Sequence, residues 1–380
     1  MSITRVTAFP LSAPIPQAHQ VSLGIGKALK RDTVLVRVET AEGVTGWGEA
    51  HAARAPTVIA ELINSTLAPL AIGVPLDAPE ELWQRVYRNQ LASHGTGAAA
   101  AIALSGLDLA LWDARGRAAG QPVHALLGAS ARACPAYAGG ISLGYQTLPA
   151  LVAEASAYVA AGFRALKLRI GAGVADDADR VRAVRDALGP DIDILVDANC
   201  AYTLADVQAM MPILDAARVG WLEEPFPAHD VRSYRALKDL GSTPIAAGEN
   251  HYTRFDFERL AEEGIVTLWQ PDLSKTGGLT EALQIARLAR EAGASLHPHT
   301  SVTGLNVAAS LHFLSVVEGA GYFEADCATW NPLRTELTSP VVSLEHGTCR
   351  ASEGAGFGVE VVLDGLTQFP VMTGAGYLKS

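Results

Sequence analysis

The chain has 380 residues, 49% of them hydrophobic and 18% charged, a composition for a compact globular protein long enough for a large core and two domains. Its 29 basic and 40 acidic residues leave a net charge of −11, which lacks the basic footprint of a nucleic-acid binder and favours small-molecule chemistry. Four scattered cysteines, Cys134, Cys200, Cys327 and Cys349, show no paired spacing and read as reduced thiols rather than a disulfide framework or zinc site.

In chain order, residues 1–10 alternate like a strand and lack the charged start and apolar core of a signal peptide, so a cytoplasmic protein is expected. Val34, Val36 and Val38 alternate with Leu35, Arg37 and Glu39; a turn at Ala41-Glu42-Gly43 then leads into residues 44–49, the pattern of a β-hairpin. Residues 56–70 and 98–117 read as helical. The most apolar run, residues 98–112, is interrupted by Ser105, Gly106 and Asp108, which argues against a membrane span. From about Cys134, strand and helix alternate: Ile194 to Val196 and Ile245 to Ala247 look like buried parallel strands. Val181, Val184 and Leu188, like Leu279, Leu283 and Ala286, recur at helical spacing. We therefore expect an α+β capping domain over residues 1–128, a β/α barrel over 129–345, and a C-terminal segment, 346–380, that returns to the first domain.

Seven polar residues recur near the ends of successive apolar runs: Lys167, Asp197, Glu223, Glu249, Asp272, His299 and Glu324. Subtracting neighbouring numbers gives steps of 30, 26, 26, 23, 27 and 25 residues. A strand–helix unit of a barrel needs about that length, and barrel active sites are assembled from strand C-termini. Three of the seven, Asp197, Glu223 and Glu249, are carboxylates in consecutive units. Converging, they would repel one another unless a cation joined them, and an all-oxygen site suits Mg²⁺. Strand alternation puts Lys167 and Arg169 on one face. Asp272 precedes His297-Pro298-His299 by one unit, and an Asp beside a His fixes its tautomer and raises its basicity. His297 and His299 share a strand face, so the spacing alone leaves both open as the base.

These residues resemble the enolase superfamily, in its mandelate racemase and muconate lactonising enzyme family. The likeness runs through Val44-Thr45-Gly46-Trp47-Gly48-Glu49, Ala110-Leu111-Trp112-Asp113 and Leu126-Leu127-Gly128 into the barrel motifs. It implies a (β/α)7β TIM-like barrel with an α+β cap completed by the C-terminal segment. It further implies Asp197, Glu223 and Glu249 as Mg²⁺ ligands, Lys167 beside the substrate carboxylate, and Asp272 with His299 as the dyad. Glu324, in Tyr322-Phe323-Glu324, resembles the late-strand acid that bonds the substrate carboxylate. A homo-oligomer of even order is also implied.

The chemistry follows from the residue types. A proton is removed beside a carboxylate, the enediolate is held electrostatically by Mg²⁺, and a Lys or His carries the proton. Arg169 stands where racemases of the family carry a second Lys, and arginine is a poor base. One-base dehydration of an acid sugar, with His299 taking the α-proton and returning it to a departing β-hydroxyl, is therefore the leading expectation. Sugar-lactone cycloisomerisation is the alternative, since Asn331-Pro332-Leu333-Arg334 and residues 354–358 resemble those enzymes too; racemisation follows behind. A binding protein without turnover is disfavoured because every ligand and the base are present. A hydride-transfer enzyme is disfavoured by the lack of a Gly-x-Gly-x-x-Gly turn. For substrate contacts the candidates are Lys27, Lys30, Arg31, His51, Arg54 and His94 from the cap, with Asn199 and His297 from the barrel.

Overall fold

The computed structural model describes residues 1–93, 97–300 and 302–379. The predicted hairpin forms: strands Lys30–Thr40 and Thr45–His51 pair antiparallel, and Ile3–Pro14 adds along the other edge. Both faces of this sheet are covered. Val34, Val36 and Val38 pack into the cap's own core, whereas Leu35 and Trp47 join the core that continues into the barrel.

Helix Ala98–Ala119 lies on the sheet, and its sequence explains how closely. A Cβ on Gly46 would meet the Ala110 carbonyl oxygen at 2.3 Å, and one on Gly48 the Gly106 oxygen at 2.2 Å. The glycines of the Val44–Glu49 motif thus let backbone touch backbone. The helix is apolar on nearly every side because it is wedged between sheet and barrel. No helix among the described residues is long and apolar enough to cross a membrane.

The strand–helix alternation builds a TIM-like barrel with a capping domain. Among the described residues, eight parallel strands follow one another: Cys134–Gly139, Ala165–Arg169, Asp193–Asp197, Leu222–Glu223, Ile245–Ala247, Val266–Trp269, Ser295–Leu296 and Phe323–Asp326. The eighth pairs back onto the first, with Glu324 opposite Tyr137. Gly321 N–H donates to the Leu296 carbonyl at 2.8 Å between the seventh and eighth. Inward side chains of Tyr137, Ala165, Leu195, Trp221 and Ala246 plug the barrel below the site.

Cap and barrel are joined by polar contacts that orient them. The buried Glu49 carboxylate accepts from the backbone of Val302 (3.1 Å) and Thr303 (3.0 Å), capping barrel helix Gly304–Val316. Asp108 accepts from Thr280 N (3.0 Å) and its hydroxyl (2.5 Å), and Trp112 Nε1 donates to that hydroxyl at 2.9 Å. The C-terminal segment touches both parts. Thr348–Cys349 pairs with the first barrel strand, Phe357 N donates to Asp113 at 2.8 Å, and Tyr377–Leu378 pairs with cap strand Gly26–Ala28.

Candidate active site

The strand-end residues meet at the C-terminal mouth of the barrel. Lys167 and Arg169 project from one face of the second strand. The Lys167 ammonium lies 2.7 Å from Glu223, 3.0 Å from Glu324 and 3.7 Å from Asp197, and is almost fully buried. Burial opposes its charge, but Glu223 and Glu324 outweigh burial and hold its pKa above the ordinary lysine value. Arg169 Nη1 donates to Asp197 and its Nη2 to the Gly140 carbonyl.

On the opposite wall stands the dyad. His299 Nδ1 lies 2.7 Å from Asp272 Oδ2. The other Asp272 oxygen accepts from Ser274 N (2.8 Å), Ser274 Oγ (2.7 Å) and Asn306 Nδ2 (2.8 Å). Burial pushes the Asp272 pKa up, yet the bond and charge of His299 bring it down to about 2. His299 Nε2 lies 2.6 Å from Glu249 Oε2. Burial disfavours the imidazolium, but Glu249 and then Glu324, with the bond to Asp272, raise its pKa to about 10.

The carboxylates expected to converge each turn to a nearby cation: Asp197 to Arg169, Glu223 to Lys167 and Glu249 to His299. Among the described residues no three His, Cys, Asp or Glu side chains form a ready-made metal cluster. The physical reason is that buried carboxylates draw in whatever positive group is within reach. The donor set nonetheless fits a hard divalent cation. Its donors are carboxylate oxygens on successive strand ends, the hard ligand type that Mg²⁺ takes, and the neighbouring Glu224 adds a further buried carboxyl, pushed well above the ordinary carboxylate range first by burial and then by Glu249 and Asp197.

A cavity of about 220 Å³ opens between barrel mouth and cap, a size for a small molecule. Arg169, Asn199, Glu249 and His299 line it from the barrel; Lys30, Arg31, His51 and Arg54 line it from the cap. Asn199 sits at φ 45° and donates through N and Nδ2 to Asp197, leaving its buried Oδ1 unpartnered. Glu324 lies deeper, accepting from Gly140 N at 3.0 Å and Thr300 N at 3.3 Å.

Two candidates fall elsewhere. His297 is directed away from the cavity: its ring packs edge-on to Trp221, Nδ1 accepts from Tyr322 N (3.0 Å) and Nε2 bonds Ser295 Oγ (3.0 Å). Both histidines keep to the inner side of the barrel, as strand alternation places them, but His297 lies a layer deeper, among Trp221 and Tyr322 of the plug, and only His299 reaches the cavity. Lys27 is exposed outside the cavity. His94 lies outside the described residues. Sequence reasoning missed Lys275, which lines the cavity with Nζ 3.6 Å from Glu249, and Tyr377, which comes from the far C-terminus. Lys275 carried a local signal, three residues after Asp272; Tyr377 carried none.

Residues 5–128 match the mandelate racemase/muconate lactonizing enzyme N-terminal domain, and residues 150–365 match the enolase C-terminal domain-like family. The chain belongs to the enolase superfamily, in its mandelate racemase/muconate lactonizing enzyme family. It is 32% identical to D-galactarolactone cycloisomerase of Agrobacterium fabrum over 90% of this chain and 92% of that protein. It is 30% identical to arabinonate dehydratase of Saccharolobus solfataricus, covering 87% and 88%. Among solved structures, an enolase-superfamily member from a Polaromonas species superposes with TM-score 0.96 at 48% identity, covering 100% of both chains. A Streptomyces coelicolor racemase with bound magnesium superposes with TM-score 0.88 at 28% identity, covering 97% of this chain and 100% of that one.

Proposed function

We propose that this protein removes the proton beside the carboxylate of an acid sugar and, through one base, expels the β-hydroxyl to give a 2-keto-3-deoxy acid. The observation that carries the reading is the dyad: His299 at the cavity wall, oriented by a buried Asp272 whose every oxygen is engaged. Asp272 holds the proton on Nδ1, which leaves Nε2 as the atom that takes the α-proton. The same Nε2–H then faces the leaving hydroxyl. Lys167 and Arg169, kept cationic by their carboxylates, bind the substrate carboxylate and are poor second bases, which disfavours racemisation.

Asp197, Glu223 and Glu249 would hold Mg²⁺; that the Streptomyces racemase binds magnesium supports the choice of ion. Bound there, the ion stabilises the charge that gathers on the substrate carboxylate as the proton leaves. The arabinonate dehydratase relative supports dehydration. The galactarolactone cycloisomerase relative keeps a second reading, opening of a sugar lactone by the same base.

The test is incubation with D-galactonate, D-arabinonate, D-galactarate and D-galactarolactone in D₂O with Mg²⁺, followed by proton NMR. Loss of the α-proton signal with a 2-keto-3-deoxy product, absent in His299→Asn, supports dehydration. Turnover of the lactone alone selects the second reading. Deuterium uptake with inversion that survives in His299→Asn contradicts both.

A further inference from the structure

The cap wall of the cavity holds three cations, and they differ in what they have left to give. Lys30 is engaged: its ammonium lies 3.0 Å from Asp32 and donates to the Met372 carbonyl at 2.7 Å. Arg54 is exposed at the mouth, its guanidinium 5.0 Å from the centre of the Tyr377 ring. Arg31 is different. Only 6% exposed, it reaches Asp326 through Nη1 at 3.5 Å, while its Nε and Nη2 are buried without any hydrogen-bond partner.

Those two nitrogens form one edge of the guanidinium, with two parallel N–H bonds spaced to receive both oxygens of a carboxylate. Asp326 does not need that edge. It is already held by Arg334 Nη1 at 2.5 Å, Asn331 Nδ2 at 3.0 Å and Ala328 N at 3.0 Å. Arg31 lines the cavity, and its idle edge, closed to solvent in this structure, is a charged fork that lacks an acceptor.

Its place in the cavity says which acceptor. Asp326 ends the eighth strand and crowds Gly140, whose carbonyl accepts from Arg169 on the barrel floor. Arg31 therefore stands on the cap side of the wall whose floor is Arg169. A substrate whose reacting carboxylate lies on the floor presents its far end to Arg31.

We infer that Arg31 is a specificity-determining residue that receives a second, distal carboxylate, so that the preferred substrates are open-chain sugar diacids rather than sugar monoacids. The assignment rests on the reading of the barrel mouth as the site of α-proton removal, which places the first carboxylate. The fork recognises a planar carboxylate bidentately, and a monoacid, with a hydroxymethyl group at that end, leaves the guanidinium unpaired.

The test uses the Mg²⁺-loaded full chain carrying His299→Asn, so that bound acids persist. Calorimetry compares D-galactarate with D-galactonate and D-glucarate with D-gluconate, and adds 6-phosphogluconate. We expect at least one diacid to bind ten- to a hundredfold more tightly than its monoacid. Arg31→Gln should abolish that ratio, and Arg31→Lys, which keeps the charge but not the fork, should retain only part of it. Equal affinities within both pairs overturn the inference, as does a ratio that survives Arg31→Gln. Tighter binding of 6-phosphogluconate than of either diacid also overturns it, in favour of a phosphate. If Arg31→Gln fails to fold, Arg31→Lys and the pairwise ratios decide. Proton exchange by the unmodified chain on the same acids keeps the two readings apart: discrimination in binding without any α-proton exchange refutes the reaction and leaves the subsite standing.

Discussion

Replacing Asp272 by Asn tests how the dyad works. Three donors, Ser274 N, Ser274 Oγ and Asn306 Nδ2, converge on Asp272 Oδ1 at 2.7 to 2.8 Å, so an amide there must place its carbonyl oxygen among them. Its NH₂ then faces His299 Nδ1, which now sits 2.7 Å from a carboxylate oxygen. The imidazole is forced to accept at Nδ1 and to carry its proton on Nε2, the tautomer that cannot take an α-proton. Wrong-tautomer substitutions of this kind cost about 10³- to 10⁴-fold in kcat, which is about 4 to 5.5 kcal/mol. The side chains are isosteric and three of the four contacts survive, so the thermal midpoint should move little. The assay is α-proton loss in D₂O on whichever acid the unmodified chain turns over, with circular dichroism to confirm the fold. Activity within tenfold of the unmodified chain would refute the assignment of Asp272 as the tautomer-setting group.

Other consequences are open to measurement. With its pKa raised to about 10 by Glu249 and Glu324, His299 should remain an imidazolium at pH 8 in metal-free protein and lose its proton when Mg²⁺ engages Glu249; nitrogen-15 NMR showing a neutral ring in both states would contradict this. His251, His297 and His312 are buried neutral, each lowered to about 4 chiefly by burial, so the folded state resists protons that the unfolded chain accepts below about 6.5. Their contribution is therefore present above pH 6.5 and lost as pH falls towards 4, at up to about 1.4 kcal/mol per pH unit for each, and is opposed over the same range by Asp108 and Glu223, which burial raises to about 7; ring-proton NMR showing any of the three histidines charged in the folded protein at pH 5.5 would be inconsistent. Gly48→Ala should lower stability by about 1 to 3 kcal/mol or more, because its Cβ would lie 2.2 Å from the Gly106 oxygen and 2.5 Å from Ala110 N, both backbone atoms. A thermal midpoint unmoved by the substitution would show that helix and sheet can part without loss.

The parts of the fold that were legible in the sequence are those set by local periodicity. The hairpin around Gly43, the apolar helix before Gly120 and the strand–helix period each follow from spacing that one segment carries by itself. Residues at strand ends were readable because barrel geometry sends every such position to one mouth, which is how Lys167, Asp197 and His299 come within one network. What spacing cannot carry is depth in the barrel or distance in the chain. His297 and His299 are two residues apart on the inner side of the barrel, yet one is buried in the plug against Trp221 and the other stands at the mouth against Asp272. Tyr377 enters the cavity only because Tyr377–Leu378 pairs with a strand some 350 residues earlier in sequence, Gly26–Ala28, and no periodicity records such a pairing. Asn306 supports Asp272 from a helix whose start is fixed by Glu49 of the cap, a contact between domains.

The central claim is that Asp197, Glu223 and Glu249 hold a divalent cation at the point where the proton is removed. The structure gives this claim a definite rival, because Glu224, Glu249 and Asn250 line the cavity together, whereas Glu223 faces Lys167, Gln270 and Trp221. Crystals soaked in Mn²⁺ and measured at the manganese absorption edge would locate the ion. The account predicts one anomalous peak about 2 to 2.3 Å from oxygens of Asp197, Glu223 and Glu249, with Lys167 drawn back from Glu223. A peak bound by Glu224 and Asn250, or no ordered peak at the barrel mouth, would contradict it.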